Sequence, residues 1–130
     1  MKILFDTNVI ISSILTKGSS FDVVIDAVKK HDIFYTEYII KEVKETLSKK
    51  FDLSLPVIHS VVELFKKYGT KGEKASEIID ICRDPNDNQI LADALLNKID
   101  MIISGDKDLT MLKKYQNILI IPPAEYWKII

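Results

Sequence analysis

The sequence is short of most devices that staple small proteins or announce their chemistry. It has one cysteine, Cys82, so no intramolecular disulfide can form, and the apolar run Ile78-Ile79-Asp80-Ile81 before it points to a buried, inert thiol in a reducing compartment. Its two histidines, His31 and His59, stand alone with no partner at ligand spacing, which leaves no nitrogen or sulfur set for zinc. Charge of neither sign dominates: eighteen basic residues face nineteen acidic ones for a formal net charge of -1, so any nucleic-acid contact must be local. No apolar run approaches the roughly 20 residues that span a bilayer. Met1-Lys2-Ile3-Leu4-Phe5 reaches an acid too early for a secretory leader, and a cytoplasmic protein without a membrane segment is expected. Internal repeats, low-complexity tracts and linkers are also missing.

What is present suits one compact domain over residues 1–130, because 130 residues with 47% hydrophobic content can bury a core unaided. Short apolar runs alternate with stretches of helical periodicity. That pattern predicts an α/β fold, a three-layer α/β/α sandwich around a mostly parallel sheet of about five strands. Strands are expected at residues 2–5, 33–36, 77–82, 101–104 and 118–121, each short, apolar and bounded by polar or turn-forming residues. Helical spacing recurs in Phe21, Val24, Ile25 and Val28 after a Ser19-Ser20 cap, and in Ile39, Val43 and Leu47. Pro56 opens a further helix that Gly69 closes, and Asp84-Pro85 supplies a cap and first-turn proline for the stripe Ile90, Leu91, Ala94 and Leu95. Residues 70–76 read as a loop, and Pro122-Pro123 separates the last strand from a short final helix.

The acids fall in informative places. In an open parallel sheet, ligands bind beyond the carboxyl ends of the strands. Asp6 ends the first strand, Asp106 follows the strand at 101–104, and Asp87 opens the helix after residues 77–82, so the three should share one edge. No obvious protein cation accompanies them. Oxygen-only ligands of this kind suit Mg²⁺ or Mn²⁺. Plainer roles compete at each position. Asp84 is expected to be a helix cap and no more. Asp87 precedes Ile90 and Leu91 by three and four residues, and so heads the apolar stripe instead of facing solvent. Asp6 follows a buried strand directly, where a charge is costly without a cation or several donors. By spacing alone Glu42 is an ordinary solvated helical acid, with Glu37 and Glu45 as rivals.

Four segments, taken together, resemble the PIN-domain ribonucleases, and in particular the toxin component of VapBC-type toxin–antitoxin systems. Met1-Lys2-Ile3-Leu4-Phe5-Asp6-Thr7-Asn8-Val9 is similar to the family's opening strand and first acid. Ile39-Ile40-Lys41-Glu42-Val43 is similar to the helix with the second acid, and this selects Glu42 over its neighbours. Arg83-Asp84-Pro85-Asn86-Asp87-Asn88-Gln89-Ile90-Leu91-Ala92 places the third acid on Asp87, and Ile103-Ser104-Gly105-Asp106-Lys107-Asp108-Leu109 the fourth on Asp106. The resemblance implies an endoribonuclease that hydrolyses RNA with Mg²⁺ or Mn²⁺ held by Asp6, Glu42, Asp87 and Asp106. Asp108 assists or binds metal through water, and Asn8 and Ser104 support the ligands or touch substrate. For Asn8 the plain alternative is a cap on the helix at 9–15, and for Ser104 a strand end. RNA, a cognate antitoxin and a second copy of the chain are the partners this reading expects.

Other readings fit less well. A dehalogenase-type phosphatase wants a second acid where this chain has Asn8, and a two-component receiver wants an acidic pair near its start. A degenerate PIN fold acting as an RNA-binding or scaffold module has no need of a mutually repulsive acid cluster. Lys41, Lys44, Lys49 and Lys50 are read as a solvated helix face, and Tyr126 and Trp127 as packing for the last helix.

Overall fold

A computed structural model describes residues 1–129. Its centre is a six-stranded sheet: β1 (Lys2–Phe5), β2 (Asp32–Tyr35), β3 (Thr70–Lys71), β4 (Met101–Ile103), β5 (Lys114–Tyr115) and β6 (Ile118–Ile121). The spatial order is β3-β2-β1-β4-β6-β5, parallel throughout except for the antiparallel β5–β6 pair. Helices α1 (Thr7–Leu15), α2 (Ser19–Lys30), α3 (Glu37–Lys49), α4 (Leu55–Tyr68), α5 (Pro85–Leu96), α6 (Lys107–Thr110) and α7 (Tyr126–Ile129) make the outer layers of an α/β/α sandwich. Among the described residues, no single helix is long and apolar enough to cross a membrane.

The central strands are continuous apolar runs because helices cover both faces of a parallel sheet. Ile3, Leu4, Phe5, Met101, Ile102 and Ile103 are all buried. The two edges are short and carry Lys71 and Lys114, which limits pairing with other chains. Helix α3 shows how the outer layers attach. Ile39, Val43 and Leu47 form its buried stripe, and full burial of each contributes about 1.5–3 kcal/mol. Helix α4 starts with Pro56 in its first turn and ends at Gly69. A Cβ at Gly69 would lie 2.7 Å from the Phe65 carbonyl oxygen and 2.9 Å from the Tyr35 ring, so the close approach of α4 to β2 requires glycine there. Tyr126 anchors the C-terminal turn, fully buried with its hydroxyl donating to Asp26 at 2.7 Å. Trp127 stacks edge-on against it and stays 49% exposed.

The structure corrects several expectations. Residues 77–82 form no strand, and Ile78 is 94% exposed. The stretch between β3 and α5 is irregular because α5 satisfies its backbone with side chains. Asn88 accepts from the Ile81 and Cys82 amides at 3.1 and 2.8 Å and donates to the Cys82 carbonyl at 3.1 Å. Asp93 accepts from the Ala75 amide at 2.7 Å, and Asn97 both accepts from and donates to Glu73. These bonds pin the two ends of the segment, and residues 77–80 between them are mostly exposed, where water can satisfy the backbone without a ladder. Two strands that the sequence did not suggest, β3 and β5, have two residues each, too short to show a period. Ser19 and Ser20 lie inside α2, whose cap residue is Gly18, with no side-chain bond. Cys82 is half-buried, and burial, followed by the charges of Asp87, Asp108 and Asp106, pushes its thiol pKa up.

The stitching by α5 is testable. Asn88→Ala removes three hydrogen bonds and is expected to cost about 1–3 kcal/mol, lowering the melting temperature by about 4–10 °C. Hydrogen exchange at the Cys82 amide should accelerate in parallel, and unchanged exchange there would mean that Asn88 does not hold the segment.

Candidate metal centre

The register of the sheet builds the site. β1 and β4 are parallel neighbours with Phe5 opposite Ile103, so the residues that follow them, Asp6 and Ser104, leave the sheet side by side. The Asp6 amide donates to the Ile103 carbonyl at 2.9 Å, and the Ser104 hydroxyl donates to Asp6 Oδ2 at 2.7 Å. Ser104 Oγ also accepts from the Asp106 amide at 3.0 Å, which ties the turn after β4 to the end of β1. Asp6 then caps α1 by accepting from the Thr7 amide at 2.7 Å, and Asp106 caps α6 by accepting from the Asp108 amide at 2.9 Å.

Helix α3 leaves the same edge from β2, capped by Thr36. It delivers Glu42, whose Oε1 accepts from the Thr7 hydroxyl at 3.0 Å. Helix α5 begins with Pro85 behind its cap Asp84, and Asp87 lies in the first turn. Tyr38, one turn before Glu42, donates to Asn86 and so joins α3 to the start of α5. One oxygen each of Asp87, Asp106 and Asp108 lie within 4.8 Å of one another.

Burial sets the electrostatics. Asp6 is 6% exposed and Asp87 4% exposed. Burial is the main cause that raises the Asp6 pKa. The hydrogen bonds from Ser104 and Thr7 oppose it, and the charges of Asp106 and Asp84 reinforce it. For Asp87 burial again comes first, then a hydrogen bond that its protonated form makes to Asp106, then the charges of Asp106, Asp6 and Asp84. Together these push its pKa up to about 7. Burial also raises Glu42, against the bond from Thr7. It raises Tyr38 to about 12 as well, with the charges of Glu42, Asp84 and Asp87 adding to it. Asp87 Oδ2 is buried without any hydrogen-bond partner.

The structure thus brings Asp87, Asp106 and Asp108 into one cluster, links Asp6 to it through Ser104, and links Glu42 to α1 through Thr7. Asp84 is an exposed cap that accepts from the Asn86 amide at 2.9 Å. Glu45 is exposed on α3 beside Lys44 and Ser48, in a different groove. Asn8 does not cap α1, because Asp6 does, and its side chain is exposed. His31 meets the N-terminal amine at 3.3 Å at the opposite end of β1, and His59 pairs with Glu63 on α4, so neither histidine stands at this edge and the gathered donors, Asp87, Asp106 and Asp108, are all oxygens. Lys41, Lys44, Lys49 and Lys50 are exposed, as a solvated face requires. Three contributors escaped the sequence analysis: Thr7, Tyr38 and Arg83, whose guanidinium meets Asp108 at 2.7 Å. The signal for the last was its singularity, since the chain has no other arginine.

The donor set fits a divalent cation. Carboxylates converge, one buried oxygen lacks a partner, and hard oxygen ligands match Mg²⁺ or Mn²⁺.

Comparison with known proteins gives a family and a fold. A family model described as PIN domain matches residues 2–108. Among solved structures, a chain of VapBC2 from Rickettsia felis bound to a DNA fragment from their promoter superposes with a TM-score of 0.66 at 15% identity, covering 92% of this chain and 97% of that one. No curated protein matches in sequence.

The raised pKa of Asp87 has a measurable consequence in metal-free protein. Its folded value, about 7, exceeds the ordinary 3.8, so between the two the folded state binds more protons and stability falls as pH rises. Asp87→Asn removes the share of that dependence that Asp87 contributes. In EDTA the variant should melt about 4 °C or more above wild type at about pH 8, with the advantage gone near pH 4. A variant that melts lower at the higher pH would show that Asp87 is not under this constraint.

Proposed function

The chain belongs to the PIN-domain family, and from that premise we propose that it is a divalent-metal-dependent endoribonuclease and the toxin of a toxin–antitoxin pair. The observation that carries the reading is the cluster of Asp87, Asp106 and Asp108, with a buried oxygen of Asp87 that no protein donor satisfies. Such a group is costly to leave unpaired. A cation turns the same arrangement into a site.

Asp87 and Asp106 with Asp108, supported by Asp6 and Glu42, are the residues that would hold Mg²⁺ or Mn²⁺. When bound, the ion supplies a water of lowered pKa and positive charge beside the scissile phosphate. The rest falls to the chain. Ser104 keeps Asp6 Oδ2 oriented and holds the Asp106 backbone, so the ligands from β1 and β4 keep a fixed separation. Thr7 fixes Glu42 through its hydroxyl while its amide holds Asp6 Oδ1. Tyr38, bonded to Asn86, sets the helix of Glu42 against the helix of Asp87. Asp87 Oδ2 is the atom left free, either to offer its lone pair to the ion or to accept a hydrogen bond from an attacking water. Asn8, exposed in the first turn of α1, is available to substrate.

The toxin role rests on likeness. VapBC2 supplies the shared fold, and an antitoxin protein and a second copy of this chain are the proposed partners in a cytoplasmic setting.

Cleavage of single-stranded RNA is expected with Mn²⁺ or Mg²⁺ and not with EDTA. Asp6→Asn should lower the rate by about 100-fold. Mn²⁺ at a hundredfold excess over its dissociation constant should stabilise the wild type by about 2.7 kcal/mol, and the Asp6→Asn protein much less. Cleavage that survives both chelation and substitution would assign the activity to a contaminant.

A further inference from the structure

The chain's one arginine stands at the acidic edge. The Arg83 guanidinium donates to Asp108 at 2.7 Å, with the arginine side chain 87% exposed and that of Asp108 33% exposed. Asp108 in turn is one of the three carboxylates gathered around a common point. Of the ion pairs among the described residues, this is the one that reaches that cluster: the others are Lys30–Asp26, His59–Glu63 and Lys71–Glu37. The cation is placed by a defined local structure. Arg83 directly precedes Asp84, the cap of α5, and follows Cys82, whose amide and carbonyl are pinned by Asn88.

A pair this exposed is worth little, so a competing ligand exchanges it readily. The planar fork of a guanidinium matches a phosphate as well as it matches a carboxylate. An RNA strand that approaches this edge is repelled by the acids and needs a cation of the chain to meet it.

Resting on the nuclease reading above, we propose that Arg83 is the phosphate-binding residue of the site, parked on Asp108 until a divalent cation takes that carboxylate and then transferred to an RNA phosphate. Arg83 is a positioning residue for substrate. Its pairing with Asp108 keeps the guanidinium at the rim of the site and shields one acid while no cation is bound. The alternative is a plain structural pin between the segment before α5 and the turn after β4. A pin would affect melting and leave RNA binding alone.

Three full-length proteins separate these roles: wild type, Arg83→Gln and Arg83→Lys. Fluorescence anisotropy of a short single-stranded RNA is followed against Ca²⁺-loaded protein over a series of salt concentrations. Calorimetric titration with Mn²⁺ alone is the second arm. Arg83→Gln should weaken RNA binding about tenfold and reduce the slope of log affinity against log salt by about 0.7, the value for one lost contact on a single strand. Arg83→Lys should recover the slope but only part of the affinity, since an ammonium is a point charge without the fork. With the competitor for Asp108 gone, Mn²⁺ should bind Arg83→Gln about two- to fivefold more tightly than wild type. Wild-type RNA affinity and salt slope in Arg83→Gln, beside intact Mn²⁺-dependent cleavage by the wild type, would overturn the role of Arg83 and leave the nuclease reading standing. Unchanged or weaker Mn²⁺ binding by the same variant would overturn the parking on Asp108. A wild type that neither binds nor cleaves RNA would overturn both readings.

Discussion

Carboxylates that leave a parallel sheet at adjacent strand ends cannot avoid one another, and much of this structure depends on that constraint. The pairing of β1 with β4 fixes Asp6 beside Ser104, and the turn after Ser104 brings in Asp106. The fold answers the repulsion with donors: a hydroxyl from Ser104, an amide from Thr7, an amide from Asp108. At Asp6 the first two favour the ionised form, yet burial prevails; at Asp87 burial and the neighbouring acids act together, and both groups are held above the ordinary carboxylate range. An edge in that condition is under electrostatic load in metal-free protein. A hard divalent cation would relieve the load, so on the proposed reading the same geometry would both destabilise the empty fold and favour its ligand.

Helix α5 does the second structural task. Asn88, Gln89 and Asp93 on the helix, with its C-cap Asn97, supply bonds to the irregular chain before it. That chain ends at Arg83 and Asp84, so the stitching also fixes where α5 starts, hence where Asp87 points, and where the guanidinium meets Asp108. Tyr38 extends the same restraint to α3 through Asn86. The acid from each of these two helices is therefore held by contacts made by neighbouring residues of its own helix.

The legible parts of the sequence were those in which one physical cause acted alone. Continuous apolar runs gave the central strands, since a strand buried on both faces admits nothing else. Pro56, Gly69 and Asp84-Pro85 marked helix ends because their backbone chemistry allows few other uses. The shared edge of Asp6 and Asp106 followed from chain order, the argument for Asp87 leaned on a strand at 77–82 that does not form, and Glu42 was chosen by resemblance, its spacing being that of any solvated helical acid. The segment at 77–82 misled because Ile78, Ile79 and Ile81 look like a strand, while the residues that deny it a ladder lie several positions later on α5. Asn8 was weighed as a cap when Asp6 already filled that role. The contacts of Thr7, Tyr38 and Arg83 join residues far apart in the chain, and no local pattern encodes them.

The central claim is that this carboxylate edge is a built cation site. A crystal of the wild-type protein soaked in Mn²⁺, with anomalous scattering recorded, tests it most directly. The account predicts an anomalous peak within coordination distance of Asp87 and Asp106, with Asp108 or Asp6 completing the shell. A well-ordered edge with no peak, or a peak only at remote surface acids such as Glu63 or Glu37, would contradict it.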